Sequence, residues 1–234
     1  MSIDKLRLKK SESGLPRAFK RSAGMPGVRD LSIPPCAQDR NGLEKVKRSV
    51  YFWMMKKRND IIQAAERLFY THGFHATSTD QLCREAGVST RTLYHHFASR
   101  EALTAAVLSA REQRFMADLL PPQQPEAIAQ LFVVLGDWTK ANGARGCFFL
   151  KAWGEYAERD SELAAQALAF RATMRHYITE CVTHLNGAED RPLSDAIWIL
   201  FEGAITTALL TGPAAARQAA QVARQLLRQN GATG

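Results

Sequence analysis

This chain has no CxxC pair, no uninterrupted apolar run of membrane-spanning length and no nucleophile paired with a base. Its four cysteines, Cys36, Cys83, Cys147 and Cys181, are scattered through 234 residues. That spacing supplies neither a disulfide framework nor a zinc ligand set, so free thiols in a reducing cytoplasm are expected. His95 and His96 are adjacent, and on a helix neighbours point about 100° apart, which does not suit a shared metal. The most apolar stretch, Pro192 to Leu210, contains Asp195 and Glu202. It reads as a buried helix in a protein that does not enter a membrane. Carboxylates such as Glu158 and Asp160 read as solvated surface, and no enzyme activity, metal or cofactor is expected.

Charge of one sign is also missing where it would be most informative. The formal net charge is +8, but Met1 to Arg58 holds 15 Lys and Arg against 5 Asp and Glu, Asn59 to Arg114 holds 6 against 6, and Phe115 onward 10 against 12. The excess sits in the N-terminal segment, so an argument for nucleic-acid binding further along must rest on a motif. Residues 1–54 include Pro16, Pro26, Pro34 and Pro35 and show no sustained apolar period. A disordered basic extension is expected there, able to add non-specific phosphate contacts. Its basic start is not followed by the apolar run of a secretory leader. Met54 or Met55 is an alternative start, which would leave this segment upstream of the protein.

What is present is helical. Ile61, Ala65, Leu68 and Phe69 form one apolar stripe that ends at Gly73, predicting a first packed helix from about Lys56. Next comes STDQLCREAGVSTRTLYHHF, residues 78–97. Ser78 with Gln81 three positions on is a capping-box signal, Gly87 suits a left-handed helix end, and Ser89 is an N-cap. The pattern predicts helix, tight turn, helix. Leu82, Cys83, Ala86, Leu93 and Phe97 face inward. Thr90, Arg91, Thr92, Tyr94 and His95 are left outward on the second helix. Arginine can donate to both guanine O6 and N7, and threonine offers a hydroxyl and a methyl. Thr77, Ser78 and Thr79 place hydroxyls at a positive helix end, a geometry suited to phosphate. Ser99 caps a fourth helix running toward Leu119 before Pro121-Pro122 stops it, with Arg100 unfavourably placed at its positive end, a cost that a bound phosphate would explain.

Taken with Gly73-Phe74, Thr77-Ser78 and Ser99-Arg100-Glu101-Ala102-Leu103, the run AGVSTRTLYHHF closely resembles the DNA-binding domain of the TetR/AcrR family of transcriptional regulators. The resemblance is specific over about residues 58–115 and architectural beyond. Arg91 stands where the family often has a small residue or proline, and Arg100 where it usually has lysine. The resemblance implies DNA contacts from Thr77, Ser78, Thr79, Ser89, Thr90, Arg91, Thr92, Tyr94, His95 and Arg100.

The expected architecture is all-α, with a helix-turn-helix domain over residues 55–115 and a larger helical domain over 116–231. Loop signals divide the latter into helices from Pro125 to Asn142, Gly146 to Glu158, Ser161 to Leu185, Leu193 to Thr211 and Pro213 to Gln229. The family resemblance implies a small-molecule effector pocket among the middle helices, expected here from Trp138, Phe149, Trp153, Tyr156, Met174, His176 and Tyr177. It also implies a homodimer through the last two helices, expected from Ile197, Trp198, Phe201, Ile205, Leu209, Val222 and Leu226. A two-fold dimer would read a palindromic double-stranded operator with half-sites about 34 Å or more apart. The resulting expectation is a ligand-responsive repressor. The alternatives are an activator, a ligand-independent regulator, or a helical ligand-binding protein that has lost DNA binding.

Overall fold

The computed structural model describes residues 40–231, and these contain nine helices and no strand. They are α1 (Arg40–His72), α2 (Thr79–Ala86), α3 (Thr90–His96), α4 (Arg100–Ala117), α5 (Ala127–Asn142), α6 (Phe148–Tyr156), α7 (Ser161–Asn186), α8 (Arg191–Thr211) and α9 (Ala214–Gln229). The first of them corrects an expectation. The segment expected to be disordered through residue 54 is helical from Arg40 onward, and the rest of that expectation concerns residues outside those described. The run KVKRSVYFWMMKK contains neither proline nor glycine, so nothing in it stops helix propagation backward from the packed stripe.

Local chemistry sets the other boundaries. Ser78 accepts from the Gln81 amide while the Gln81 side chain accepts from the Ser78 amide, closing the capping box at the start of α2. Gly87 ends α2 at φ 61°, a left-handed conformation that costs a side-chain-bearing residue about 1 kcal/mol or more. Ser89 and Ser99 cap α3 and α4, and Asp160 and Asp190 cap α7 and α8. Each such cap contributes on the order of 1 kcal/mol.

Around the helix-turn-helix the core joins Ile61, Ala65 and Phe69 of α1 to Leu82 and Cys83 of α2, Leu93 of α3, and Leu103 and Val107 of α4. Further along, α7 packs on α4, α5, α6 and α8, while α9 packs on α5 and α8. α8 is long and apolar enough to cross a membrane by length and composition. In this fold Leu193, Ile197, Phe201, Ala204 and Ala208 bury one of its faces in the core.

A candidate nucleic-acid interface and an internal cavity

α3 is short and is held by its buried Leu93 and by Phe97 at its C-terminal end. α2 braces it: Val88 donates to the Cys83 carbonyl across the turn (3.0 Å), and the Cys83 thiol lies 3.7 Å from the Thr90 hydroxyl. Arg67 of α1 holds α2 in turn through the Glu85 carboxylate at 3.0 Å. This leaves Thr90, Arg91, Tyr94 and His95 exposed on a rigid outward face, with Thr92 half-buried. The Thr92 hydroxyl is 2.9 Å from that of Ser89, whose oxygen also accepts the Thr92 amide. His96 turns partly inward, and burial together with the neighbouring His95 and Arg58 holds its imidazole below the ordinary value.

Two of the expected DNA-contacting residues do other work. Thr77 is only 1% exposed, and its hydroxyl donates to the Gly73 carbonyl. It closes the α1–α2 turn and presents no hydroxyl to a phosphate, whereas Ser78 is exposed and Thr79 half-exposed at the α2 start. Arg100 is also engaged. Its guanidinium donates to the Phe74 carbonyl and lies 5.2 Å from the Phe69 ring centroid. A carbonyl acceptor and an aromatic face, both internal, account for a cation at the positive end of α4.

The α1–α2 turn is also where α6 meets the helix-turn-helix. Glu155 of α6 accepts the backbone amides of Phe74 (2.8 Å) and His75 (2.7 Å), and His75 Nε2 lies 3.1 Å from the Glu155 carbonyl. Gly73 makes room for this carboxylate, since a Cβ there would come within 3.0 Å of Glu155 Oε1. The Thr104 and Tyr156 hydroxyls, 3.2 Å apart and buried, bridge α4 to α6. Charge-assisted bonds such as those of Glu155 contribute about 1.5–3 kcal/mol each. Glu155→Ala is therefore expected to speed amide exchange at Phe74 and His75 by at least roughly tenfold. Unchanged exchange at both amides would show that the carboxylate does not hold the turn.

A cavity of about 70 Å³ lies among α4 to α8, lined by Arg111, Phe115, Trp138, Cys147, Phe148, Phe149, Phe170, Phe201 and Ile205, with Tyr70 of α1 in its wall. It has room for a few waters and is roughly half the size of an apolar cavity that takes a benzene ring. Phe149 and Phe170 stack at 4.0 Å. The Arg111 guanidinium lies 5.0, 5.1 and 4.8 Å from the ring centroids of Tyr70, Trp138 and Phe148. Its charge is met by buried Glu66, whose carboxylate also binds Arg114. The Tyr70 hydroxyl donates to the Gly146 carbonyl (2.7 Å) and accepts the Arg145 amide (3.2 Å), and burial raises its pKa. One wall of the cavity is thus formed by α1 of the helix-turn-helix domain.

Of the residues expected in a pocket, Trp138 and Phe149 line this cavity and the others do not. Trp153 is solvent-exposed, and exposed His176 pairs with Glu180 one turn along α7. Met174 is fully buried core. Tyr156 bonds Thr104, and Tyr177 donates to the Leu120 carbonyl. Each of the two tyrosines spends its hydroxyl on a bond between chain segments. Cys147 borders the cavity 3.6 Å from Arg171 Nη1, while burial pushes the Cys181 thiol up to about 12. Among the described residues no group of three or more His, Cys, Asp or Glu side chains gathers closely enough to hold a metal.

The outer face of α8 and α9 corrects a further expectation. Ile197 and Phe201 are buried at 0% and 1% exposure, and Ile205 lines the cavity. Ile197 and Phe201 are therefore not available to a partner, while Ile205 is half-buried. Trp198 is half-buried beneath Arg171, whose guanidinium lies 5.5 Å from a ring centroid, and Leu226 is also half-buried. Burial raises the pKa of Glu202, the partner of Arg171, which opposes that rise. Leu209 and Val222 are exposed, as are Ile199 and Leu210, the latter at 90%. Ile199, Gly203, Thr206 and Leu210 recur at i, i+4, i+7 and i+11, one helical stripe open to solvent.

Comparison with known proteins places this geometry. Residues 61–107 match the family described as "Bacterial regulatory proteins, tetR family". The HTH-type transcriptional regulator UidR of Escherichia coli K12 is 38% identical over 65 residues, 28% of this chain and 33% of UidR. The HTH-type transcriptional repressor ComR of the same organism is 31% identical over 100 residues, 40% of this chain and 48% of ComR. The chain thus spans about a third to a half of the length of these two curated relatives. A crystal structure of a TetR-family transcriptional regulator from Streptomyces coelicolor superposes with TM-score 0.67 at 24% identity, covering 75% of this chain and 96% of that one. At that identity the superposition shows a shared fold.

Proposed function

We propose that this protein, whose residues 61–107 match the tetR family of bacterial regulatory proteins, is a sequence-specific DNA-binding transcriptional regulator acting as a ligand-responsive homodimeric repressor. The observation that carries this reading is the outward face of α3. Arg91, Tyr94 and His95 stand exposed on a helix whose other side is locked into the core, the chemistry and rigidity that base reading in a major groove requires. Repression is taken as the sign of regulation by analogy with ComR. The test is whether the purified protein prefers one duplex sequence over random DNA at fixed salt.

A single seven-residue helix spans too few base pairs for specificity, and a second copy supplies the other half-site. The exposed stripe of Ile199, Gly203 and Leu210, with Leu209 and Val222 beside it, supports pairing of α8 and α9 with their counterparts as a four-helix bundle. Leu210→Asp is expected to yield monomers by light scattering and to remove most operator affinity. A dimer of wild-type mass would move the interface elsewhere.

The signal would begin in the cavity. A small apolar molecule that enlarges the cavity beside the stacked Phe149 and Phe170 would press on Arg111 and Tyr70, which connect to α4 and α1. Through Glu155 and the α1–α2 turn, such a shift would favour reading heads spaced wrongly for successive grooves, and the operator would be released.

A further inference from the structure

A second surface of distinctive chemistry, basic and aromatic, lies on α1. From Lys45 to Arg58 six of fourteen residues are Lys or Arg and none is Asp or Glu, so this segment carries the positive charge that the helix-turn-helix domain itself lacks. Lys45, Arg48, Phe52 and Lys56 recur at i, i+3, i+7 and i+11, and all four are exposed, Phe52 at 72%. Tyr51 and Trp53 flank that stripe and are also mostly exposed. Where the segment meets the packed domain, Arg58 fixes its position: its guanidinium lies 5.0 Å from the ring of Phe97, the residue that ends the recognition helix. The stripe therefore starts beside the C-terminal end of α3. From Lys56 to Lys45 it extends about 16 Å at the helical rise per residue, which is about five base pairs of duplex.

We propose that residues 45–56 of α1 form an additional DNA-contact surface that lies along the duplex flanking the half-site, with Lys45, Arg48 and Lys56 against phosphates and the rings of Tyr51, Phe52 and Trp53 against the sugar faces. The proposal rests on the reading of α3 as the helix in the major groove. Duplex DNA fits this surface better than a lipid surface does, because an interfacial membrane helix keeps its apolar and basic residues on opposite faces. Here Phe52 stands within the basic stripe itself, between Arg48 and Lys56. A second copy of the same segment is excluded by charge, since it would set like-charged surfaces against each other. The contacts carry no base readout, so the surface adds affinity and footprint without changing the preferred sequence.

The test uses the full-length chain carrying Lys45→Ala, Arg48→Ala and Lys56→Ala together, and separately Phe52→Ser. All four positions are exposed, so folding is unaffected. Binding is measured across a salt series to the duplex that the wild type selects and to a random duplex of equal length. The triple variant is expected to bind both roughly tenfold or more weakly, and its salt dependence should fall by about one unit of slope for each basic side chain removed from a phosphate. The selected sequence should be unchanged, and hydroxyl-radical protection should retreat from the flanks. Wild-type affinity and slope in the triple variant would overturn the proposal. So would arm-dependent binding to phosphatidylglycerol vesicles with DNA affinity untouched, which would make the surface a membrane-binding one. Arg91→Ala reports on α3 alone. If the wild type selects no sequence yet the triple variant still weakens binding to random duplex, the reading of α3 falls and the association of α1 with DNA stands.

Discussion

Glu66→Gln is expected to lower stability by about 3 kcal/mol, the low end of the range for removing one partner of a buried ion pair. Glu66 is 6% exposed, and its two oxygens meet Arg111, itself buried, and Arg114. With the carboxylate neutralised, the Arg111 charge stays in place among Tyr70, Trp138 and Phe148. Three ring faces do not replace a carboxylate, because they carry no opposite charge and accept none of the guanidinium N–H bonds that Glu66 accepts. For a chain of this size the destabilisation corresponds to roughly 6–12 °C in Tm. The double variant Glu66→Leu with Arg111→Met should recover most of it, since apolar groups of similar volume often match a buried pair. Arg114 is 43% exposed and can turn to solvent in that variant. Equal melting temperatures for wild type and Glu66→Gln would show that the rings alone satisfy Arg111.

Arg91→Ala is expected to cost about 1–3 kcal/mol in binding to the selected operator, the range for one bidentate guanine contact. The effect should concentrate at one base-pair position in each half-site, where the variant accepts several bases equally. Affinity for random duplex should change little beyond the effect of removing one charge. Arg91 is exposed in the first turn of α3 with its backbone fixed by the Ser89 cap and its neighbour Leu93 buried, so the substitution removes a side chain without loosening the helix. Uniform weakening across all sequences would make Arg91 a phosphate-binding residue. No change within about 1 kcal/mol would remove it from the interface.

The elements that were legible in the sequence are those set by local chemistry. Ser78 with Gln81, Gly87, Ser89 and Ser99 act within a turn of themselves, and the helices they delimit appear where those residues stand. The helices from α5 to α9 likewise follow their loop signals, Gly143 to Gly146, Gly187 and Gly212. Two features were not legible, for two reasons. α8 is apolar nearly all round, so periodicity does not say which side faces inward. Burial of Ile197 and Phe201 and exposure of Ile199 and Leu210 are decided by packing against α7 and α9. The cavity gathers Tyr70, Arg111, Trp138 and Phe201 from four separate helices, and no spacing rule joins them. The one available clue was Glu66 beside the buried face of α1, a carboxylate that needed a cation from elsewhere in the chain.

The central claim is that α3 reads DNA sequence as one of two copies. The most direct measurement is selection of duplexes from a random pool by the purified full-length protein, at a stated salt concentration, followed by sequencing of the bound fraction. The expected result is a recurrent palindrome whose half-site centres lie about one helical turn or more apart, with affinity above that for random duplex by a factor of roughly 10³ or more. Uniform recovery of sequences, with binding that fades in parallel as salt rises, would contradict it and leave the helix-turn-helix as a scaffold without a reading function.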